Sequence, residues 1–581
     1  MKCFVADFET TTTENDCHVW GYAVCDIDNP EDVIFGTTID DFMFWCRSQK
    51  ENNLVYFHNM KFDAQFIIHW LLNNGFTHAE TSRDRKSNTF TTLITDKGLY
   101  YAIEVIFYLN GKRVKKIVFQ DSYKLIPLSV RDIAKSFKLP ISKLKIDYEA
   151  HNNLPLGSPL TDEEKEYIKN DVQIVAHGIN YFHSKGLNRM TIGSCALNEY
   201  KNIISKKVFK RLFPAPTYHY DIKQAYKGGF NCLNRKFENK VVGGGLVLDK
   251  NSMYPYVMKK YELPYGTPIF FKGEYKPDKY YPLYIQMMSC KFTLKPGKIP
   301  IIQSRTREFY RGSEYLTSSE DLEVMICLNS VDLELFFENY DVENPTYYSG
   351  WKFKSLRGMF DEYIDKWSEI KIQSKINGDF GMYEISKYML NSLYGKFGTD
   401  LIMRTKIPYI KKNRVEYYDS EPKQKEPVYL PLASFVTSYA RYETIRASQT
   451  IMDNYYNGTS KAEWIYSDTD SCHILLNGED EETFLKNCGL YIDDTELGAW
   501  KIEGRFDKGK YIRQKCYIQN YNKEGEDEYN LKVCVAGMPH ECHSQVNFKN
   551  FKIGATYEGK KQPKIVPGGC ILENVEFTIK R

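Results

Sequence analysis

The stretch Trp464-Ile-Tyr466-Ser-Asp468-Thr-Asp470-Ser-Cys-His-Ile-Leu475 reads as a strand, a tight acidic turn and a second strand. Asp468 and Asp470 stand two residues apart, so both carboxylates share a face at the hairpin tip, where no apolar core would accept them unpaired. Turns also favour Asp for local reasons, so the tip alone fits an ordinary hairpin end equally well. Its meaning depends on what surrounds it. Upstream, Gly243-Gly-Gly-Leu-Val-Leu-Asp249 is a strand ending in an acid, followed by Lys250-Asn-Ser-Met-Tyr254-Pro255. Asp249 with Asp468 and Asp470 could clamp two magnesium ions for in-line attack on an α-phosphate. Between them, Lys387-Tyr-Met-Leu-Asn391-Ser-Leu-Tyr394-Gly395 sets Lys387, Asn391 and Tyr394 at i, i+4 and i+7, one stripe of a helix. A cation, an amide and an aromatic in line suit a triphosphate, a sugar and a base, although a solvated lysine beside core aromatics has the same spacing.

Downstream, Tyr511-Ile-Arg513-Gln-Lys515-Cys-Tyr517-Ile518 alternates strictly. This predicts one strand with Tyr511, Arg513, Lys515 and Tyr517 on one face, the basic and aromatic surface that a DNA backbone needs, or else a plain solvated face. Cys534, His540, Cys542 and His543 have a spacing that fits no common zinc module.

A second acidic constellation lies in the first third. Asp7-Phe8-Glu9 sends two carboxylates to one face of a predicted strand, and such a pair repels itself unless a cation neutralises it. His58-Asn-Met-Lys-Phe-Asp63 adds an acid after another strand, and Tyr167-Ile-Lys-Asn-Asp171 puts a phenol and a carboxylate on one helix face. Four carboxylates with a tyrosine to orient the attacking water are what two-metal phosphodiester hydrolysis requires.

The 581 residues carry 78 Lys and Arg against 75 Asp and Glu, a net charge of +3, which argues against a simple basic nucleic-acid coat but not against a nucleic-acid enzyme. At 42% hydrophobic and 15% aromatic the chain builds a real core, so disordered and fibrous classes are excluded. The 45 Tyr outnumber the 34 Phe, which suits grooves that meet bases and sugars, or reflects coding bias. No 18-residue apolar run exists, so no membrane span is expected. The start lacks a signal-peptide apolar region, and 14 Cys without a CxxC pair fit a reducing cytoplasm.

The first 190 residues read as an α/β domain: strands over Lys2–Phe8 and Asn53–His58, a helix over Phe62–Asn73, paired strands over 99–109 and 114–121, and a helix started by Thr161-Asp-Glu-Glu164 and running to about Ser184. Tyr226-Lys-Gly-Gly-Phe230 suits an interdomain joint. Residues 261–358 look like an irregular Pro- and Tyr-rich insertion, 359–397 are helical, and 400–430 suggest a protruding hairpin. Strand signals resume from Val428 to the end.

This ordered set resembles the family B DNA polymerases, and closely the protein-primed phage enzymes of the phi-29 group, over essentially the whole chain. Asp7-Phe-Glu9, Asn59 to Asp63 and Tyr167-xxx-Asp171 resemble the three exonuclease motifs; Asp249-xx-Ser-Met-Tyr-Pro, Lys387-xxx-Asn-Ser-x-Tyr-Gly and Tyr466-x-Asp-Thr-Asp-Ser resemble the polymerase motifs. Lys515-x-Tyr517 resembles the primer-strand motif, Tyr226-x-Gly228-Gly229 the interdomain joint, and Thr437-xx-Ala-Arg441 a further DNA-binding motif. Met253 stands where the group more often has Leu, a volume-conserving change.

The resemblance implies an α/β and α+β multidomain fold: a ribonuclease-H-like exonuclease domain, then a right-hand polymerase of palm, fingers and thumb with two insertions. The expected boundaries are 1–190 exonuclease, 191–260 first part of the palm, 261–358 first insertion, 359–398 fingers, 399–429 second insertion, 430–535 second part of the palm and 536–581 thumb. Asp249, Asp468 and Asp470 would hold two Mg2+ or Mn2+ ions, and Asp7, Glu9, Asp63 and Asp171 two more, with Tyr167 and Lys143 assisting hydrolysis. Lys145 lies close enough in sequence to compete for the Lys143 role. Tyr254 would exclude a 2′-hydroxyl, and Lys371, Lys387, Asn391 and Tyr394 would meet the dNTP. Asn59, Phe62 and Ser122 would grip a frayed 3′ end, while Tyr226, Gly228, Gly229, Thr437, Arg441, Lys515 and Tyr517 would meet DNA. The partners implied are primer-template DNA, dNTPs and a terminal protein whose hydroxyl primes synthesis at the first insertion. The second insertion would wrap the template for processivity and strand displacement. The enzyme would act in the host bacterial cytoplasm as a monomer or as a heterodimer with the terminal protein.

Three other readings compete. Residues 1–190 suffice for an exonuclease held by a DNA-binding scaffold, which leaves the three later carboxylates idle. An inert single-strand platform built on the aromatics leaves both acidic clusters unexplained. An RNA-templated polymerase would usually carry Tyr-x-Asp-Asp, not Asp-Thr-Asp.

Overall fold

The computed structural model describes residues 1–215, 222–303, 315–425 and 428–580. Parts of the expected first palm segment, of both insertions and the final thumb residue therefore lie outside the described residues.

The N-terminal third forms an eight-stranded mixed sheet. Strand Lys2–Thr10 pairs in parallel with Asn53–Phe57, which pairs in parallel with Arg113–Asp121. Asn53–Phe57, at the centre of these three, is buried on both faces, as a central parallel strand requires, and its two neighbours are buried over most of Phe4–Thr10 and Ile117–Asp121. Antiparallel Val19–Asp26 lies outside Lys2–Thr10, and the hairpin Tyr100–Asn110/Arg113–Asp121 turns through Gly111 and Lys112. Helix Asp162–Ser184 starts at a capping box in which Thr161 and Glu164 satisfy each other's backbone N–H groups, and it packs across the sheet.

A second sheet carries the Asp249 and Asp468 strands. Gly245–Lys250 lies between Ser471–Leu475 and Trp500–Arg513, with Glu463–Asp468 beyond Ser471–Leu475. Helices Asp361–Ile376 and Phe380–Phe397 form the expected helical pair.

Four expectations need correction. The region after 261 is regular: strands Leu263–Lys272, Tyr340–Leu356, Leu283–Leu294 and Val324–Asn329 form an antiparallel sheet in that order, backed by helix Ser330–Asn339. Bulges at Tyr265/Ile269, Met287/Met288 and Ser289/Lys291 break the two-residue alternation that would have revealed it. Residues 430–456 are no strand but a 27-residue helix. It is buried nearly all round, so it has no polar stripe, and its Thr and Ser hydroxyls bond back one turn, as Thr437 does to the Ala433 carbonyl at 3.0 Å.

The 400–430 hairpin, Lys406–Lys411 with Arg414–Asp419, does not protrude. Val415 is buried with the N-terminal core, and the Tyr417 hydroxyl donates to Gln65 at 2.8 Å. Finally, 511–518 is a hairpin: Trp500–Arg513 turns at Gln514-Lys515 into Cys516–Lys523, so Tyr511 and Tyr517 are cross-strand partners, both buried and stacked at 5.3 Å.

Candidate active sites

In the first sheet, Asp7 and Glu9 leave one face of their strand, Asp63 opens helix Asp63–Asn73, and Tyr167 and Asp171 project from the long helix. Burial, then the Asp171 carboxylate, pushes Asp7 up to about 7. Burial and Asp7 raise Glu9 and Asp63 well above the usual carboxylate range, and burial raises Asp171. Lys143 forms an ion pair with Asp171 and lies 5.4 Å from the centre of the Tyr167 ring. Lys145 has no such place in the cluster. The Tyr167 hydroxyl is 3.1 Å from that of Tyr148, a residue that sequence reasoning passed over.

Asn59 is exposed, at φ 64, with its backbone N–H donating to Asp121 at 2.9 Å; Phe62 is half-buried against Phe66. Ser122, expected with them at the frayed 3′ end, is fully buried. His58 Nε2 faces the Leu128 carbonyl at 2.7 Å and must donate to it, and burial favours the neutral ring, so Nδ1 is an acceptor facing the Ser122 hydroxyl at 2.9 Å. The Phe57 carbonyl, 3.1 Å from the same hydroxyl, is a second acceptor for its one proton.

In the second sheet, Asp249 stands opposite Ser471 on one side and Lys501 on the other. Burial, opposed by Lys501, puts Asp249 at about 6, and burial with Asp249 puts Asp470 at about 7. The turn that displays Asp468 and Asp470 is held by its backbone: Thr469 sits at φ 60, its N–H donates to the Phe230 carbonyl at 2.6 Å, and the Lys250 N–H donates to the Asp470 carbonyl at 2.8 Å. Asp468 accepts from Asn231 at 2.6 Å, from Lys515 at 3.1 Å and from Tyr466 at 3.2 Å.

Tyr254 and Tyr394, 140 positions apart, stack at 3.9 Å and 19°. Lys371 reaches the Ser252 hydroxyl at 3.2 Å, while Lys387 and Asn391 are exposed on helix Phe380–Phe397. Sequence reasoning missed Lys501 and Glu503. Glu503 is the residue bulged out of the pairing between Ile502 and Gly504, and it adds negative potential at Asp249 and Asp470.

The joint is built from Tyr226, Gly228 and Gly229. A Cβ on Gly229 would stand 2.7 Å from the Thr469 hydroxyl, so only glycine lets this segment lie against the acidic turn. Thr437 and Arg441, expected to meet DNA, are buried. Arg441 pairs with Asp332 and donates to the carbonyls of Lys227 at 3.0 Å and Gly228 at 2.6 Å, so its guanidinium braces the joint from beneath. Tyr517 is likewise buried, and of that pair only Lys515 is exposed. Of the cysteine and histidine cluster, Cys542 is buried in a small C-terminal core and donates to the Glu558 carbonyl, while Cys534 pairs opposite Tyr517.

Both acidic clusters fit divalent cations. Acids buried beside one another hold their protons to higher pH because their charges have no counterion, and the buried Asp171 Oδ1 has no partner. Among the described residues no three His, Cys, Asp or Glu side chains are gathered tightly enough to chelate an ion alone. Ions here would complete their shells from substrate phosphate and water. No helix among the described residues is long and apolar enough to cross a membrane.

The sequence matches the family model for DNA polymerase type B, organellar and viral, over residues 46–161 and 153–474. It is 42% identical to the DNA polymerase of Bacillus phage phi29, with 100% of this chain and 99% of that one covered. It is 31% identical to the DNA polymerase of Streptococcus phage Cp-1, with 100% and 99% covered. The fold superposes on phi29 DNA polymerase complexed with primer-template DNA and incoming nucleotide substrates at a TM-score of 0.91, with 41% identity and both chains fully covered. The complex of that enzyme with single-stranded DNA gives 0.89 at 40% identity, again with both chains fully covered.

Proposed function

The chain belongs to the organellar and viral type B DNA polymerases, and from that membership we propose that it is a protein-primed, processive replicase that displaces the non-template strand and proofreads at a separate 3′–5′ exonuclease site. It is a DNA polymerase with the mixed α/β multidomain fold of the phi29 enzyme. The observation that carries the finer reading is the presence of two acidic clusters on two different sheets, each with protons held up to about 7.

In this reading primer-template DNA and dNTPs are the substrates, and a terminal protein supplies the first hydroxyl. The 1–190 domain edits; 191–260 and 430–535 form the palm, 359–398 the fingers and 536–581 the thumb. The 261–358 insertion meets the terminal protein, and 399–429 wraps the template. The enzyme works in the bacterial cytoplasm as a monomer or with the terminal protein.

Asp249, Asp468 and Asp470 would hold two Mg2+ or Mn2+ ions, as would Asp7, Glu9, Asp63 and Asp171 in the editing site. Bound there, the ions supply Lewis-acid stabilisation of the attacking and leaving oxygens. The chain does the positioning. Lys371, Lys387 and Asn391 receive the nucleotide, and Tyr254, stacked on Tyr394, fills the space of a 2′-hydroxyl while Tyr394 faces the nascent base pair. Lys515 steadies the primer end with Tyr517 packed beneath it. In the editing site Tyr167 orients water, Lys143 counters charge at Asp171, and Asn59 and Phe62 receive the frayed strand.

A 5′-labelled primer on a longer template with magnesium tests this. Extension with dNTPs and shortening without them is the expected result. Shortening under both conditions would reduce the chain to an exonuclease on a scaffold, and binding without turnover would make it an inert platform.

A further inference from the structure

Lys501 lies opposite Asp249 in the strand pairing, and its ammonium is 3.6 Å from Asp249 Oδ2. That is an ion-pair distance but not a tight hydrogen bond, and the side chain is about one-third exposed (35%). Trp500 beside it is buried and pairs opposite Lys250, which anchors the strand at this point.

Its surroundings are cationic. Burial, then Lys501, Lys387 and Lys375 in that order, holds the Lys371 ammonium below its usual range. Lys371 therefore stands within electrostatic reach of three further ammonium groups, the four coming from three elements, and of Asp249, while Lys387 lies 4.0 Å from Glu384. Lysines gathered in this way, with Asp249 and Glu384 set against them, are arranged for a polyanion.

Building on the polymerase reading, we propose that Lys501 is a nucleotide-binding residue: it rests on Asp249 in the free enzyme and turns to the β- and γ-phosphates of the incoming dNTP when Asp249 takes up its divalent ions. A monovalent ammonium at 3.6 Å gives way to a divalent ion shared with Asp470, and the freed charge lies on the same side as Lys371.

The test is single-nucleotide incorporation on primer-template with magnesium, using wild type, Lys501→Gln and Lys501→Arg, with pyrophosphate as inhibitor. Lys501→Gln should raise KM for dNTP about tenfold, the usual worth of one charge-assisted hydrogen bond, with kcat little changed. It should also weaken pyrophosphate inhibition and lower the half-saturating magnesium concentration, while Lys501→Arg should restore most of the affinity. An unchanged KM and pyrophosphate inhibition in a Lys501→Gln enzyme that melts like wild type would overturn the proposal. So would a loss confined to kcat, or an arginine variant as impaired as the glutamine one. Failure of the wild type to extend any primer would instead sink the polymerase reading on which the proposal rests.

Discussion

The two acidic clusters solve one electrostatic problem in different ways. In the N-terminal sheet the acids come from a strand, a helix start and a helix interior, all but Asp7 nearly inaccessible, and Lys143 is pressed onto Asp171. In the second sheet the acids sit on two strands separated by Ser471–Leu475 and on the turn between, partly open; Lys515 hydrogen-bonds Asp468 at 3.1 Å and Lys501 stands 3.6 Å from Asp249. A deep cluster suits water activation on a strand end threaded into it. An open cluster suits repeated entry of a charged nucleotide and exit of its product.

The sharpest way to break the comparison is to silence one cluster at a time. Asp249→Ala or Asp470→Ala should reduce synthesis by at least about a thousandfold while primer shortening persists, and Asp7→Ala with Asp63→Ala should do the reverse. Gel assays of both activities on folded protein read this directly, and loss of both activities in either variant would mean that the clusters are not independent.

Asp332→Ala tests the joint between the regions. It strands a buried guanidinium, so a loss of about 3 to 5 kcal/mol in denaturant unfolding is expected, against little change if the Arg441 pair is incidental.

Tyr254→Val removes a ring that only the second cluster possesses. Discrimination against ribonucleotides should fall by roughly ten- to a hundredfold, measured as the ratio of kcat/KM for dNTP and rNTP.

The smallest effect concerns pH. Asp7 and Asp470 hold protons up to about 7 in the fold against 3.8 in the unfolded chain, so the folded state binds protons the unfolded state has released. Stability in EDTA should therefore fall as pH rises from about 4 to 7, and Asp7→Asn or Asp470→Asn should recover about 1 to 3 kcal/mol at pH 8. Thermal melting across that range checks the sign, and equal melting of wild type and variants at pH 8 would refute it.

Much of both sites was legible because it rests on local periodicity. The i, i+2 spacing of Asp7 with Glu9 puts that pair on one face of its strand, the Asp-Thr-Asp run marks an acidic turn wherever it falls, and Thr161 with Glu164 marks a helix start wherever it packs. What sequence could not show is burial: Arg441 and Ser122 carry polar groups that look available in sequence, and in the fold they are buried, Arg441 paired with Asp332 and Ser122 beside His58.

By itself the sequence determined which residues carry charge in register, several of the first domain's strands and helices, Lys2–Thr10, Asn53–Phe57 and Asp162–Ser184 among them, and the ordered motifs that mark a family B polymerase. Only the tertiary structure decided that 430–456 is a helix, that 511–518 folds back on itself, that the 406–419 hairpin docks, and that Lys501 faces Asp249 across 252 positions. The reason is physical. Periodicity reports an element with one wet and one dry face, so a helix buried all round gives no signal, and a strand pairing that joins distant residues leaves no trace in either local pattern.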